Sequence, residues 1–129
     1  MLEEKTKKKV CIVDDEENIR EIYETILKKS GYDVITAANG AEGLKLIKEQ
    51  RPDVVLADIM MPEVDGIEMI SEIRKDKDLI GIPVVVMTNI DNEETFKKAG
   101  ELSTSFYLIK SLFGPEKVVS IVDEALQKG

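Results

Sequence analysis

Five short apolar runs constrain this chain more than any other feature: "VCIV" (10–13), "DVITA" (33–37), "DVVLA" (53–57), "PVVVM" (83–87) and "FYLI" (106–109). They are rich in β-branched residues and mostly lack polar alternation, which is how strands buried on both faces read. Between them lie segments with helical spacing. From 17 to 30, Ile19, Ile22, Tyr23, Ile26 and Leu27 recur at i, i+3, i+4, i+7 and i+8, and Gly31 follows as a stop. A second helix is predicted over 41–49 on Leu44 and Ile47, and a third over 67–75 on Ile67, Ile70 and Ile73. The fourth, over 92–102, carries only Phe96, Ala99 and Leu102 and is interrupted by Gly100. The last starts at Pro115, a good first-turn residue, and turns Val118, Val119, Ile121, Val122, Ala125 and Leu126 inward.

Strands that alternate with helices imply a parallel sheet with right-handed crossovers and helices on both faces. The predicted fold is α/β: a (βα)5 doubly wound, five-stranded parallel sheet of order 2-1-3-4-5, flavodoxin-like. Ligands bind such sheets at the carboxyl ends of the strands where the winding reverses, here between the first and third strands. The 129 residues suffice for one domain, expected over 9–129, after a charged N-terminal tail at 1–8.

Composition removes several function classes. A formal net charge of -8 argues against direct nucleic-acid binding, which needs clustered Lys and Arg. With no histidine and one cysteine, the usual zinc sites, a triad with its own histidine and an internal disulfide are all excluded. Cys11 lies in an apolar run and reads as a small core residue. No apolar stretch approaches the roughly 18 residues of a membrane span and no signal peptide is visible, so a cytoplasmic location is expected.

One carboxylate breaks the apolar pattern. Asp58 ends the third run and is followed by Ile59, Met60 and Met61. A lone charge buried there would be costly unless paired, metal-bound or open to solvent. The other polar residues at strand ends answer this. Asp14 and Asp15 follow the first strand, Thr88 ends the fourth and Lys110 ends the fifth. Neighbouring strands lie about 4.8 Å apart, so Asp14, Asp15 and Asp58 should converge on one pocket. Carboxylates that close repel, and a hard divalent cation relieves the repulsion; Mg²⁺ suits an all-oxygen site. A purely structural alternative has Asp14 and Asp15 capping the first helix while Asp58 pairs with Lys110.

"VDDEENIREIYETIL", "LADIMMPEVDG", "VVVMTN" and "YLIK" together resemble the receiver domain of two-component response regulators, of the single-domain, chemotaxis-regulator kind. The motif set is paired acids, then D-x-x-M-P-x-x-D-G, then Thr, then Lys. The resemblance implies that Asp58 is the phosphoacceptor, supplied by a sensor histidine kinase or a histidine phosphotransfer protein. It implies that Asp15 binds Mg²⁺ directly, Asp14 through water, and the Met60 carbonyl as a further ligand. Lys110 would pair with Asp58 and then with the phosphoryl oxygens, Thr88 would hydrogen-bond the phosphoryl group, and Tyr107 would be the aromatic switch. Pro62, Asp65 and Gly66 would shape the loop after the acceptor. Met60 and Ile90 would flank the approach of hydrolytic water, with Asn89 beside the phosphate, so an apolar pair there implies a long-lived phosphorylated form. The chemistry agrees: a carboxylate can accept a phosphoryl group, whose oxygens need a metal, a cation and a donor around them.

The chain departs from the family pattern at several positions. Ser111 follows the lysine where proline, often cis, is usual, which leaves both isomers of that bond open. Asn89 replaces the usual alanine, and Ser103 and Thr104 replace a Gly-Ala pair. The implied function is a phosphorylation-operated switch, not an enzyme with turnover on a separate substrate. It would act on a downstream protein partner through helix 4, strand 5 and helix 5, as a monomer or a weak phosphorylation-dependent dimer. The alternative is a receiver-fold interaction module that is never phosphorylated. A phosphatase or nucleotide enzyme lacks its motifs, since "DDE" is not D-x-D and no G-x-x-x-x-G-K-[ST] loop occurs.

Overall fold

The β-branched runs form strands because two layers of helices cover them. The computed structural model describes residues 7–59, 66–89, 93–102, 104 and 106–128. Its elements alternate without exception: β1 (Lys9–Val13), α1 (Glu17–Lys29), β2 (Asp33–Ala37), α2 (Gly40–Gln50), β3 (Val54–Ala57), α3 (Gly66–Lys75), β4 (Val84–Thr88), α4 (Glu93–Glu101), β5 (Phe106–Ile109) and α5 (Pro115–Lys128). A 3₁₀ turn at Lys110–Leu112 separates β5 from α5. The five strands are parallel in the order β2-β1-β3-β4-β5.

The sheet divides the core in two. Val13, Ile47, Val55, Met69, Ile70, Ile73 and Val86 lie on the face covered by α2 and α3. Ile12, Tyr23, Leu27, Leu56, Met87, Ile121 and Val122 lie on the face covered by α1 and α5. Successive residues of β1 and β3 therefore serve opposite layers, and both strands are buried throughout Val10–Val13 and Val54–Ala57. Each such Ile or Leu side chain contributes about 1.5–3 kcal/mol through removal from water. The edge strands β2 and β5 are only partly covered. The expectation of two-sided burial thus holds for β1, β3 and β4. Ile22, in the apolar stripe of α1, is 45% exposed, on the flank of the helix, whereas Ile19, Tyr23, Ile26 and Leu27 pack into the core.

Local chemistry sets the helix ends. Gly31, at φ +98°, takes the left-handed conformation that closes α1. Asn39 Oδ1 accepts from the Glu42 amide at the start of α2, and Glu42 Oε1 accepts from the Ala38 amide in return. At the end of α4, Thr104 Oγ1 donates to the Ala99 carbonyl and Arg74 Nε donates to the Leu102 carbonyl. The unusual Thr104 thus satisfies a helix end that a Gly-Ala pair could not reach by side chain.

The sheet's carboxyl edge extends one residue past β1 and β3. The Asp14 amide donates to the Ala37 carbonyl at 3.1 Å, and the Asp58 amide donates to the Val13 carbonyl at 2.9 Å. Both acids are thereby fixed by backbone at the end of the two central strands.

Candidate phosphoacceptor and metal site

The pocket at this edge is built around Lys110. The lysine does not end β5, as expected from sequence; it opens the 3₁₀ turn that follows, which carries its side chain back over the sheet edge. That side chain is only 6% exposed, and its ammonium lies 2.6 Å from Asp14 Oδ2, 2.9 Å from Asp58 Oδ2 and 3.1 Å from Glu16 Oε1. Lys110 Nζ donates hydrogen bonds to Asp58 and Glu16. The contact with Asp14 Oδ2 is electrostatic: that fully buried oxygen has no hydrogen bond of good geometry. Asp14 Oδ1 accepts from the Glu16 amide at 2.9 Å, and the Asp14 carbonyl accepts from Arg20 at 2.7 Å.

Burial decides the proton affinities. Burial pushes the Asp14 carboxyl above the usual carboxylate range; the Lys110 ammonium and the Glu16 amide pull it only part of the way back, and the Asp58 charge adds to the rise. Burial would lower Lys110, but the close Asp14 and Asp58 carboxylates outweigh it, so the ammonium is held more firmly charged than an ordinary lysine. Removing Lys110 would take a buried counter-charge from Asp14 and Asp58, and breaking comparable buried pairs costs about 3–5 kcal/mol.

The sequence-expected residues are only partly brought together. The structure brings Asp14, Asp58 and Lys110 into direct contact. Thr88 is fully buried at the end of β4, level with Ile109 and one residue short of Lys110. Tyr107 points to the opposite face of β5 from Leu108, as its alternation requires, and meets Phe96 of α4 edge-to-face at 5.3 Å and 76°. Asp15 stands exposed beside the pocket, outside the three-carboxylate cluster, and Asn89 is exposed just after β4. Met60, Pro62, Asp65, Ile90 and Ser103 lie outside the described residues. No peptide bond among the described residues is cis, so Lys110–Ser111 is trans.

Glu16 is the functional candidate that sequence reasoning missed. Oxygens of Asp14, Glu16 and Asp58 all lie within 4.8 Å of one another, close enough to share a cation. The signal was present as a third consecutive acid in "DDE", but 26 acids in the chain hide it. The donor set fits a divalent ion: three carboxylates of hard oxygen converge, and the buried Asp14 Oδ2 is an acceptor without a hydrogen-bond donor. Gly66 packs its α-carbon against the backbone of Asp58 and Ile59. A Cβ there would come within 2.5 Å of both the Asp58 carbonyl oxygen and Ile59 Cα.

Comparison with known proteins agrees with this geometry. Residues 10–123 match the family model described as the response regulator receiver domain. The chain is 41% identical over 123 residues to a probable transcriptional regulator ycf27 of Guillardia theta, covering 95% of this chain and 47% of that protein. It is 37% identical over 121 residues to the alkaline phosphatase synthesis transcriptional regulatory protein PhoP of Bacillus subtilis, covering 94% and 49%. The chain therefore spans about half the length of the curated relatives it matches. Among solved structures, the chemotaxis response regulator CheY4 of Vibrio cholerae superposes with a TM-score of 0.87 at 30% identity, covering 94% of this chain and all (100%) of that one. A CheY-like receiver protein from Methanospirillum hungatei gives a TM-score of 0.89 at 26% identity, covering 95% and 96%.

Proposed function

Because the chain belongs to the response regulator receiver family, we propose that it is a phosphorylation-operated binding switch with Asp58 as the acceptor. The observation that carries this reading is the buried Asp58 carboxylate, held at the end of β3 with Lys110 Nζ 2.9 Å away and Asp14 alongside. An Asp58 oxygen attacks the phosphorus of a phosphohistidine on a kinase or phosphotransfer partner. The new O–P bond replaces the N–P bond, and the imidazole leaves with its electron pair. Lys110 neutralises the phosphoryl oxygens and Thr88 donates to them from the end of β4.

A bound Mg²⁺ would neutralise charge on the transferring group. By the family resemblance, its ligands are Asp15, Asp58 and the Met60 carbonyl, with Asp14 one water away. The apolar pair Met60 and Ile90, with Asn89 beside the phosphate, slows hydrolysis of the acyl phosphate. Output runs through α4, β5 and α5 to a protein partner, with Tyr107 and its neighbour Phe96 reporting the state of Thr88. No described helix is long and apolar enough to cross a membrane, and a cytoplasmic switch fits the family.

The test is intact mass after incubation with Mg²⁺ and acetyl phosphate. The parent gains one phosphoryl group and Asp58→Asn gains none; undiminished labelling of the variant sinks the assignment. Absence of labelling in the parent favours a constitutive interaction module instead. Addition of beryllofluoride should shift amide resonances through residues 88–110, beyond the loops that follow β1 and β3.

A further inference from the structure

The metal ligands proposed above leave out one acid of the cluster, Glu16. Glu16 is the N-cap residue of α1, with extended backbone at φ -92° and ψ 111°, yet its side chain makes no capping hydrogen bond. An oxygen at that position ordinarily accepts from first-turn amides. Glu16 instead extends over the pocket and accepts from Lys110 Nζ at 3.1 Å, across 94 residues of sequence. Its amide is already taken by Asp14 Oδ1, so its backbone is held while its side chain is free to serve the lysine. Unlike Asp14 and Asp58, it keeps 56% of its side chain in solvent.

A charge balance gives this contact its meaning. Lys110 has two buried partners, Asp14 Oδ2 and Asp58 Oδ2. Both belong to the acids that would turn toward a divalent ion. The ammonium is rooted in the 3₁₀ turn and nearly buried, so it cannot simply leave for water. A buried ammonium stripped of its carboxylates is strongly unfavourable. Glu16 is the carboxylate of the trio that remains to hold it.

We infer that Glu16 is a positioning residue, the berth that retains Lys110 at the pocket while Asp14 and Asp58 serve Mg²⁺ and until phosphoryl oxygens replace it. This inference rests on the metal reading of the same site. It predicts that the length of the Glu16 side chain, as well as its charge, sets metal affinity, because a shortened acid keeps its charge but loses its reach to Lys110.

The experiment is a calorimetric Mg²⁺ titration of the full chain as parent, Glu16→Asp, Lys110→Met and the double variant, with thermal melts confirming that each is folded. Glu16→Asp retains the charge and supplies a better N-cap, so its fold should be at least as stable as the parent's. Its Mg²⁺ affinity should nevertheless fall by about two- to fivefold, the range expected from loss of a partly exposed ion pair. In the Lys110→Met background the same substitution should leave the affinity unchanged, because no ammonium needs a berth. An unchanged affinity in Glu16→Asp overturns the inference. So does an equal loss in both backgrounds, which would make Glu16 a direct ligand. Failure of the parent to bind Mg²⁺ overturns the metal reading and the berth together, whereas parent binding that Glu16→Asp leaves intact overturns the berth alone.

Discussion

Gly66→Ala offers a sharp test of how Asp58 is supported. Gly66 heads α3, and its amide reaches the Ile59 carbonyl at 3.4 Å. An added methyl would stand 2.5 Å from the Asp58 carbonyl oxygen, 2.5 Å from Ile59 Cα and 2.9 Å from Ile59 Cγ2. Two of these three atoms are backbone, in the segment whose Asp58 amide is tied to Val13, so no side-chain rotation relieves the overlap. The shortfall from ordinary contact is about 0.9 Å, measured against a 3.4 Å lower bound. Overpacking of this kind costs about 1–3 kcal/mol, and the gain in helix propensity at a first helical residue returns less than the ~1 kcal/mol of an interior position. At about 4 °C per kcal/mol for a chain of this size, the melting midpoint should fall by about 4–12 °C. Urea unfolding and calorimetry measure the change, and acetyl phosphate labelling should slow in parallel because the acceptor's own carbonyl is displaced. Gly100→Ala is the control: it lies within α4 with nothing within 4 Å of its added methyl, so it should gain about 0.5–1 kcal/mol. A Gly66→Ala variant as stable as the parent would refute the close approach on which the reasoning stands.

Asp14→Asn should raise the melting midpoint in EDTA while weakening Mg²⁺ binding, because it removes a buried charge crowded by Asp58 and also takes one carboxylate from the three-acid cluster; a variant that melts below the parent in EDTA counts against this. Tyr32 donates to Asp123 Oδ1 between the end of α1 and α5, and burial, then that bond and the nearby charge, hold its phenol above the ordinary range. Since the folded value is the higher, the contribution is fully present below the ordinary tyrosine pKa and is lost as pH rises past it. Tyr32→Phe should therefore lose about 0.5–1.5 kcal/mol at pH 7, with the two urea-derived stability curves converging above about pH 10. Burial pushes the Cys11 thiol up to about 12, so maleimide labelling at pH 8 should proceed only as fast as the protein unfolds; rapid labelling of the native chain contradicts that placement.

Most of the fold was legible because its signals are local. The β-branched runs became β1 to β5 within a residue or so, and the run that reads 33–37 is β2 to the residue. Parallel topology placed Asp14, Asp15, Asp58, Thr88 and Lys110 at one edge of the sheet, but of the three acids expected to converge there Asp15 stands exposed outside the cluster and Glu16 takes its place beside Asp14 and Asp58. What escaped was decided at long range. Glu16 looks like any helix-start acid, and only its contact with Lys110 distinguishes it. Arg74 reads as an ordinary last-turn cation of α3, yet it donates to the carbonyls of Ile80, Ile82 and Leu102, which no local pattern announces. Ile22 satisfies the helical stripe but faces solvent, because periodicity finds a face without saying how far the covering layer extends.

The two ladder bonds that carry Asp14 and Asp58 also set a timescale. Their amides, paired to Ala37 and Val13, belong to the central strands and should exchange with solvent deuterium only when the sheet itself opens. The floor of a solvent-facing pocket is then among the slowest-exchanging parts of the molecule, while the side chains above it move far faster. A partner that arrives many times between such openings meets the same Asp58 backbone at each encounter, and only the side chains above it differ from one visit to the next.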